Sequence, residues 1–399
     1  METDEATPLV GRKGASVTET ILNLSKTCMG TGCLGLAYAC SEGGLVVYIL
    51  GLIGIGAWNV VAVQRLCRCL EFLPDMGTSR SPPPVGTAKL GTVAWYAFGR
   101  NGLQALDVMM IILLFGIIVA YVSAVVAFLG DTPFSINRWI DSIMAALVMS
   151  SIAMVPDVGH LSGGSAVGLG ILAVTFLVIA GYGAASYHES SSSLVVWPAS
   201  AAGLSHFFGI CVFGFGVVPL TYNFRDSMRE PNQMVPATAI ALSSVAVAYI
   251  VVGLGLYACY PDIEGDVLHE LPSGILPVLT RLAMSVVVFM TAPLLIVPCG
   301  ELLEGKFGLS QSTLVRYGIG LVGAAIAVLL PSFVQVLALV GSACVGLVSF
   351  CLPPLLHWKL SSHQASTTRS QIFFDVILFV WGVMATVLST VISLQRSSG

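Results

Sequence analysis

Charge is scarce in this chain. Only 10% of its 399 residues are Asp, Glu, Lys or Arg, while 56% are hydrophobic. A soluble domain carries about 25% charged residues, so lipid rather than water must solvate most of this surface. The parts of a membrane enzyme are missing too. There is no HExxH, no pair of aspartates inside an apolar span and no Ser/His pair placed within one so as to serve as nucleophile and base. Nucleophilic and metal-assisted catalysis therefore lack their groups, and no enzyme activity, metal or cofactor is expected. No CxxC occurs among the ten cysteines; nearly all fall in apolar spans, where a reduced cysteine is a small hydrophobe. The one Asn-x-Ser/Thr triplet, Asn23-Leu24-Ser25, lies inside a span and is useless as a glycan acceptor. A cleavable leader is not expected either, because the polar lead is acidic and no small-residue cleavage site follows.

What is present is a series of apolar runs near the 20 residues that cross a bilayer. Eleven are read at roughly 17–40, 44–70, 104–129, 136–155, 165–185, 201–224, 234–258, 276–303, 312–330, 332–357 and 371–394. The expected fold class is all-α, a polytopic membrane protein. Residues 1–16 form a polar tail holding Glu5-Ala6-Thr7-Pro8-Leu9-Val10, close to an acidic dileucine address, and residues 17–399 form one transmembrane domain. With the tail in the cytosol, 13 of the 17 Lys and Arg (among them Arg12, Lys13, Arg65, Arg80, Lys89 and Lys306) fall on the cytosolic side. Residues 71–103 make the longest loop, and Val93 to Phe98 read as a short interfacial helix before Gly99.

Two runs are interrupted. The first holds Gly30, Gly32 and Gly35 at its middle; the sixth holds Gly209, Gly214, Gly216 and Pro219. Backbone loosened at membrane depth must be satisfied by protein, water or a ligand. Interrupted helices at matching positions of two halves point to a transporter binding site, here a first repeat near 17–185, a second near 201–357 and an extra helix near 371–394. Splitting a helix bares amides at the start of its second half and carbonyls at the end of its first. Amides near Thr31, Gly32 and Cys33 would take a carboxylate; carbonyls near Cys28, Met29, Phe213 and Gly214 would take an amine. A zwitterionic amino acid presents both groups. Tyr121, Phe213 and Phe215 would line a modest pocket for small neutral side chains. Lys26, the one basic residue deep in a span, has two readings: it titrates with coupling protons, or it snorkels to cytosolic water. Thr291, before Pro293, offers a hydroxyl to a cation or marks a simple kink. His206 reads as an interfacial histidine, and Asp107 and Asp375 as partners of helix N-termini.

These residues resemble the amino acid/auxin permease family. Leu24-x-Lys26-x-x-x-Gly30-Thr31-Gly32-x-Leu34-Gly35-Leu36 is similar to the opening motif of its proton-coupled amino acid transporter branch. Ala97-Phe98-Gly99-Arg100-Asn101-Gly102 with Asp107, Gly116 and Tyr121 resembles its third helix. Phe213-Gly214-Phe215 with Pro219, Met228 and Pro231 resembles its sixth, and Pro331-Ser332-Phe333, Gly341-Ser342 and Pro353-Pro354 its ninth and tenth. The resemblance implies a LeuT-like 5+5 inverted repeat of eleven helices, discontinuous at helices 1 and 6, in which a bundle rocks against a scaffold. It implies passage of neutral amino acids coupled to H+ or Na+. Three positions depart from the branch: Ala37 replaces a proline, Asn23 stands where a histidine precedes the motif lysine, and Gly216 replaces an acidic residue. Asn23, Lys26 and Thr291 are the candidates for handling a coupling ion.

The expected function is secondary active transport of neutral amino acids by alternating access, with protons favoured. The rivals are a sensor that binds but barely transports, and a sodium symporter. A channel would need rings of carbonyls or charges along a continuous pore, and no nucleic-acid partner is expected. The expected location is a vacuolar, lysosomal or plasma membrane.

Overall fold

The computed structural model describes residues 14–73, 81–154, 162–186, 194–309, 312–330, 332–362 and 369–398. The sorting-like segment Glu5–Val10, Arg12, Lys13, Arg80 and Pro331 lie outside them. The described residues are almost wholly helical, as a backbone that must bond to itself in lipid requires. Among the described residues, eight helices are long and apolar enough to cross a membrane.

The first run is split. α1 (Val17–Cys28) starts at Ser16, whose hydroxyl accepts from the Glu19 amide while its own N–H donates to the Glu19 carboxylate, a reciprocal cap. Met29 and Gly30 leave helical geometry, a 3-10 turn covers Thr31–Gly35, and α2 (Leu36–Gly43) follows. α3 is Leu45–Cys69. α4 runs from Lys89 to Gly130 as two helices that part at Gly99, and the first of them holds the expected short helix before that glycine. Its 42 residues are twice what a bilayer needs. Gly99, at φ 67° and ψ −151°, turns the chain between the two parts, a conformation open to glycine and strained for other residues.

α5 (Arg138–Ile152), α6 (Ser162–Ser186) and α7 (Ala201–Gly214) follow. Beyond α7 the chain turns at Phe215–Val217, makes a 3-10 turn at Val218–Leu220 that includes Pro219, and resumes as α8 (Thr221–Ser227). α9 (Met234–Cys259), α10 (Ile275–Thr291), α11 (Pro293–Phe307) and α12 (Thr313–Leu329) complete the middle of the chain. α13 (Phe333–Val340) widens into two π turns over Gly341–Cys351 before α14 (Leu352–Ser361), and α15 (Arg369–Ser398) closes it. α5 and α12, of 15 and 17 residues, fall short of the usual spanning length.

The helices pack as two groups. α1, α2, α3, α7, α8 and α9 pack on one another; so do α4, α5, α10, α11 and α12. The groups meet mainly through α6, α13 and α14. α7 crosses α13 closely: a Cβ on Gly209 or Gly341 would strike the opposing backbone. Small residues permit such approach where lipid gives no hydrophobic drive to association.

Candidate functional site

A cavity of about 1310 Å³ lies between the two groups. One wall is Asn23, Lys26, Met29, Gly30 and Thr31 with Pro219, Leu220, Tyr222, Asn223 and Phe224; the other is Tyr121 with the α4, α10 and α11 residues that include Thr291 and Glu301. The cavity reaches exposed residues at Pro84–Lys89 and Gly305, on the face where α1 begins. Near that mouth the Lys306 ammonium sits 3.2 Å from Asp107. Asp107 is thus an ion-pair partner inside α4, not a group at a helix start.

The opposite face is shut by the α9–α10 loop. Its Val267 N–H donates to Leu34 O at 3.2 Å, directly behind the break in the first run. Val267, Leu268 and Leu271 are buried. Arg281, itself buried, donates to Leu268 O at 2.9 Å and Leu271 O at 3.0 Å, and lies 3.4 Å from the Asp131 carboxylate. Burial pushes the Asp266 carboxyl up to about 6. His269 is raised above its ordinary value, chiefly by its 2.8 Å hydrogen bond with Asp131. Glu270 is raised by burial as well.

At the first break the Cys33 amide donates to Gly30 O at 3.1 Å. The amides of Thr31 and Gly32 precede that bond, at the turn's start, where no intrahelical acceptor exists. An added Cβ on Gly30 would meet nothing within 4 Å, whereas one on Gly32 would come within 2.9 Å of the Phe213 ring. The two breaks therefore touch through Gly32 and Phe213. Phe213 O accepts from the Gly216 amide at 3.3 Å. Phe215 is fully buried, with its ring centroid 5.4 Å from that of Tyr249 on α9. The Tyr249 hydroxyl donates to Cys28 O at 2.6 Å and lies 3.1 Å from Gly214 O. These are two of the carbonyls expected to receive an amine.

The expected site residues thus divide. Asn23, Lys26, Met29, Gly30, Thr31, Tyr121 and Thr291 line one cavity. Cys28, Gly32, Cys33, Phe213, Gly214, Phe215 and Gly216 do not line it. Among the described residues Lys26 has no hydrogen-bond or ion-pair partner. The Thr291 hydroxyl donates back to Val287 O and Val288 O, 3.0 and 3.1 Å away. His206 is fully buried, 3.4 Å from the Tyr38 hydroxyl and 3.4 Å from Arg396, which also makes two 2.9 Å contacts with Glu42. Sequence reasoning missed Tyr249 and a buried triad in which Asp375 lies 2.8 Å from Arg65 and 2.6 Å from His357. Asp375 is an ion-pair partner rather than a cap.

Spanning helices, a deep cavity against interrupted backbone and one closed face define a polytopic membrane transporter. Residues 13–395 match the family described as "Transmembrane amino acid transporter protein", and the chain belongs to that family. It is similar to "Amino acid transporter AVT3A" of Arabidopsis thaliana, 25% identical over 97% of this chain and 91% of that protein. It is similar to "Amino acid transporter ANT1" of the same plant, 25% identical over 95% and 92%. It is also similar to "Vacuolar amino acid transporter 3" of Saccharomyces cerevisiae, 26% identical over 95% of this chain and 57% of the yeast protein.

Proposed function

We propose that this protein is a secondary active transporter of small neutral amino acids that works by alternating access and is driven by protons. The observation that carries the reading is the asymmetry of the cavity. It is open on the face where α1 begins and shut on the other by the Val267–Leu271 segment. A site reached from one side at a time is what alternating access requires. The two helix groups with few direct contacts supply parts that can rock. On this reading the chain is an eleven-helix LeuT-like repeat with its N-terminus in the cytosol, and the open state faces the cytosol. The substrate carboxylate sits on the Thr31 and Gly32 amides, which helix-start dipoles favour. Its ammonium faces the Met29 carbonyl, because Tyr249 already occupies those of Cys28 and Gly214.

The apolar lining near Met110, Leu114 and Tyr121 favours a neutral side chain, since a buried charge without a partner is costly. Unpaired Lys26 at the cavity wall favours protons over sodium as the driving ion, because a fixed cation repels a second one. A vacuolar membrane fits the name of the yeast relative. Uptake of a labelled amino acid panel by reconstituted protein tests the reading. Neutral amino acids should accumulate under an imposed pH gradient in choline as well as in sodium. Binding in detergent without flux would favour a sensor, and uptake lost in choline would favour a sodium symporter.

A further inference from the structure

Tyr249 occupies a position that calls for a cation. Carbonyls at two helix breaks converge there: Cys28 O ends α1 and also accepts from the Gly30 amide at 2.9 Å, and Gly214 O ends α7. Helix C-terminal ends carry partial negative charge, and two of them in one spot repel unless something positive sits between. Unwound carbonyls of this sort coordinate ions in transporters with broken helices. Here a phenol does the work, 2.6 Å from one oxygen and 3.1 Å from the other.

The surroundings hold the phenol in place. The Tyr48 hydroxyl donates to Tyr249 O at 2.7 Å and fixes α9 against α3. The Phe215 ring packs on the Tyr249 ring at 58°. Gly214 leaves room for it: a Cβ there would come within 2.9 Å of Tyr249 Cε2 and 3.2 Å of the hydroxyl oxygen. Tyr249, Tyr48 and Phe215 are all at most 2% exposed, so water does not compete for the two carbonyls.

We propose that the Tyr249 hydroxyl is a built-in substitute for an alkali cation, a positioning residue that ties the two helix breaks together. A phenol supplies the positive end of an O–H dipole without an ion's desolvation cost, and it is never lost by dissociation. The junction then stays tied in every ionic medium. The consequence for coupling deepens the transport reading and rests on it; the positional claim stands on geometry alone.

Thermal unfolding in detergent, in sodium chloride against choline chloride, tests the positional claim without any transport. Wild-type protein should melt at the same temperature in both salts. Tyr249→Asn and Tyr249→Ser open the position, and sodium should raise their melting temperature over choline by at least ~2 °C in a saturable manner, as a ligand of the native state does. Tyr249→Phe removes the donor without making room, so it should melt lower than wild type by the same amount in both salts. Sodium stabilisation of the wild type would overturn the proposal, because an ion would already be bound. Indifference of Tyr249→Ser to sodium, or a Tyr249→Phe that melts like wild type, would also overturn it. The expected melting pattern in a protein that moves no amino acid would count against the transport reading alone.

Discussion

Gly30 and Gly32 stand two residues apart, yet a methyl group should act oppositely at the two. The Cβ of Gly32→Ala would lie 2.9 Å from Phe213 Cδ1 and 3.2 Å from Cε1. Carbon atoms prefer about 3.5–4.0 Å, so the ring must withdraw by roughly 0.5–1 Å. Its retreat is obstructed, because a Cβ on Gly341 would already come within 3.0 Å of Phe213 Cβ. Forced overpacking costs about 1–3 kcal/mol, partly offset by the ~0.4–1 kcal/mol an alanine gains by restricting the unfolded chain. The net, about 0–2.5 kcal/mol, should lower the melting temperature measurably. Gly30→Ala meets no atom within 4 Å and has an extended backbone at φ −125°. Its stability should match or exceed wild type, while its methyl group projects towards the cavity and weakens substrate binding. Unfolding scans and equilibrium binding on both variants give the comparison. Equal destabilisation by the two, or a Gly32→Ala more stable than Gly30→Ala, would refute the contact between the breaks.

Asp375→Asn should destabilise by about 3–5 kcal/mol, because it leaves Arg65 buried without its counter-charge; adding Arg65→Met should recover part of the loss in the same unfolding assay. Lys26→Ala should change the pH dependence of uptake; an unchanged profile would leave Lys26 only a snorkelling role. The Val267–Leu271 loop should hold more tightly in acid. Asp266 is raised from 3.8 to about 6, so its contribution is complete below the unfolded value and is lost as pH climbs through about 6. His269, raised above 6.5 by Asp131, likewise contributes fully below 6.5 and fades as pH rises through its folded value. Arg281, Glu264 and Glu270 face the same cluster. Amide exchange in this loop, corrected for the chemical rate, should be better protected at acid than at neutral pH. Asp266→Asn should weaken that trend, and stronger protection at neutral pH would contradict it.

Local signals in the chain foretold what local forces make. Glycine density at Gly30–Gly35 and Gly209–Gly216 marked both interruptions, because a helix in lipid gives up hydrogen bonds only where something replaces them. Apolar length marked the spans. Pairings between distant segments left no such trace. Tyr249 lies 221 residues from Cys28, and an aromatic in an apolar helix looks like core until its hydroxyl is seen between two carbonyls. Asp375 read as a group near a helix start, and only the packing of α3, α14 and α15 shows that it neutralises Arg65 beside His357. Gly99 reads as a stop and is one: its positive-φ, non-helical geometry parts α4 into a helix before it and a helix after it. The contact of His206 with Arg396 joins residues 190 apart.

The most direct measurement is a structure of the protein with a bound neutral amino acid. It should show the carboxylate within hydrogen-bond distance of the Thr31 and Gly32 amides, with the ammonium towards Met29 and Tyr249 still seated between Cys28 and Gly214. An amino acid bound away from both breaks, or Met29–Gly30 and Phe215–Val217 rewound into continuous helix around it, would contradict the account.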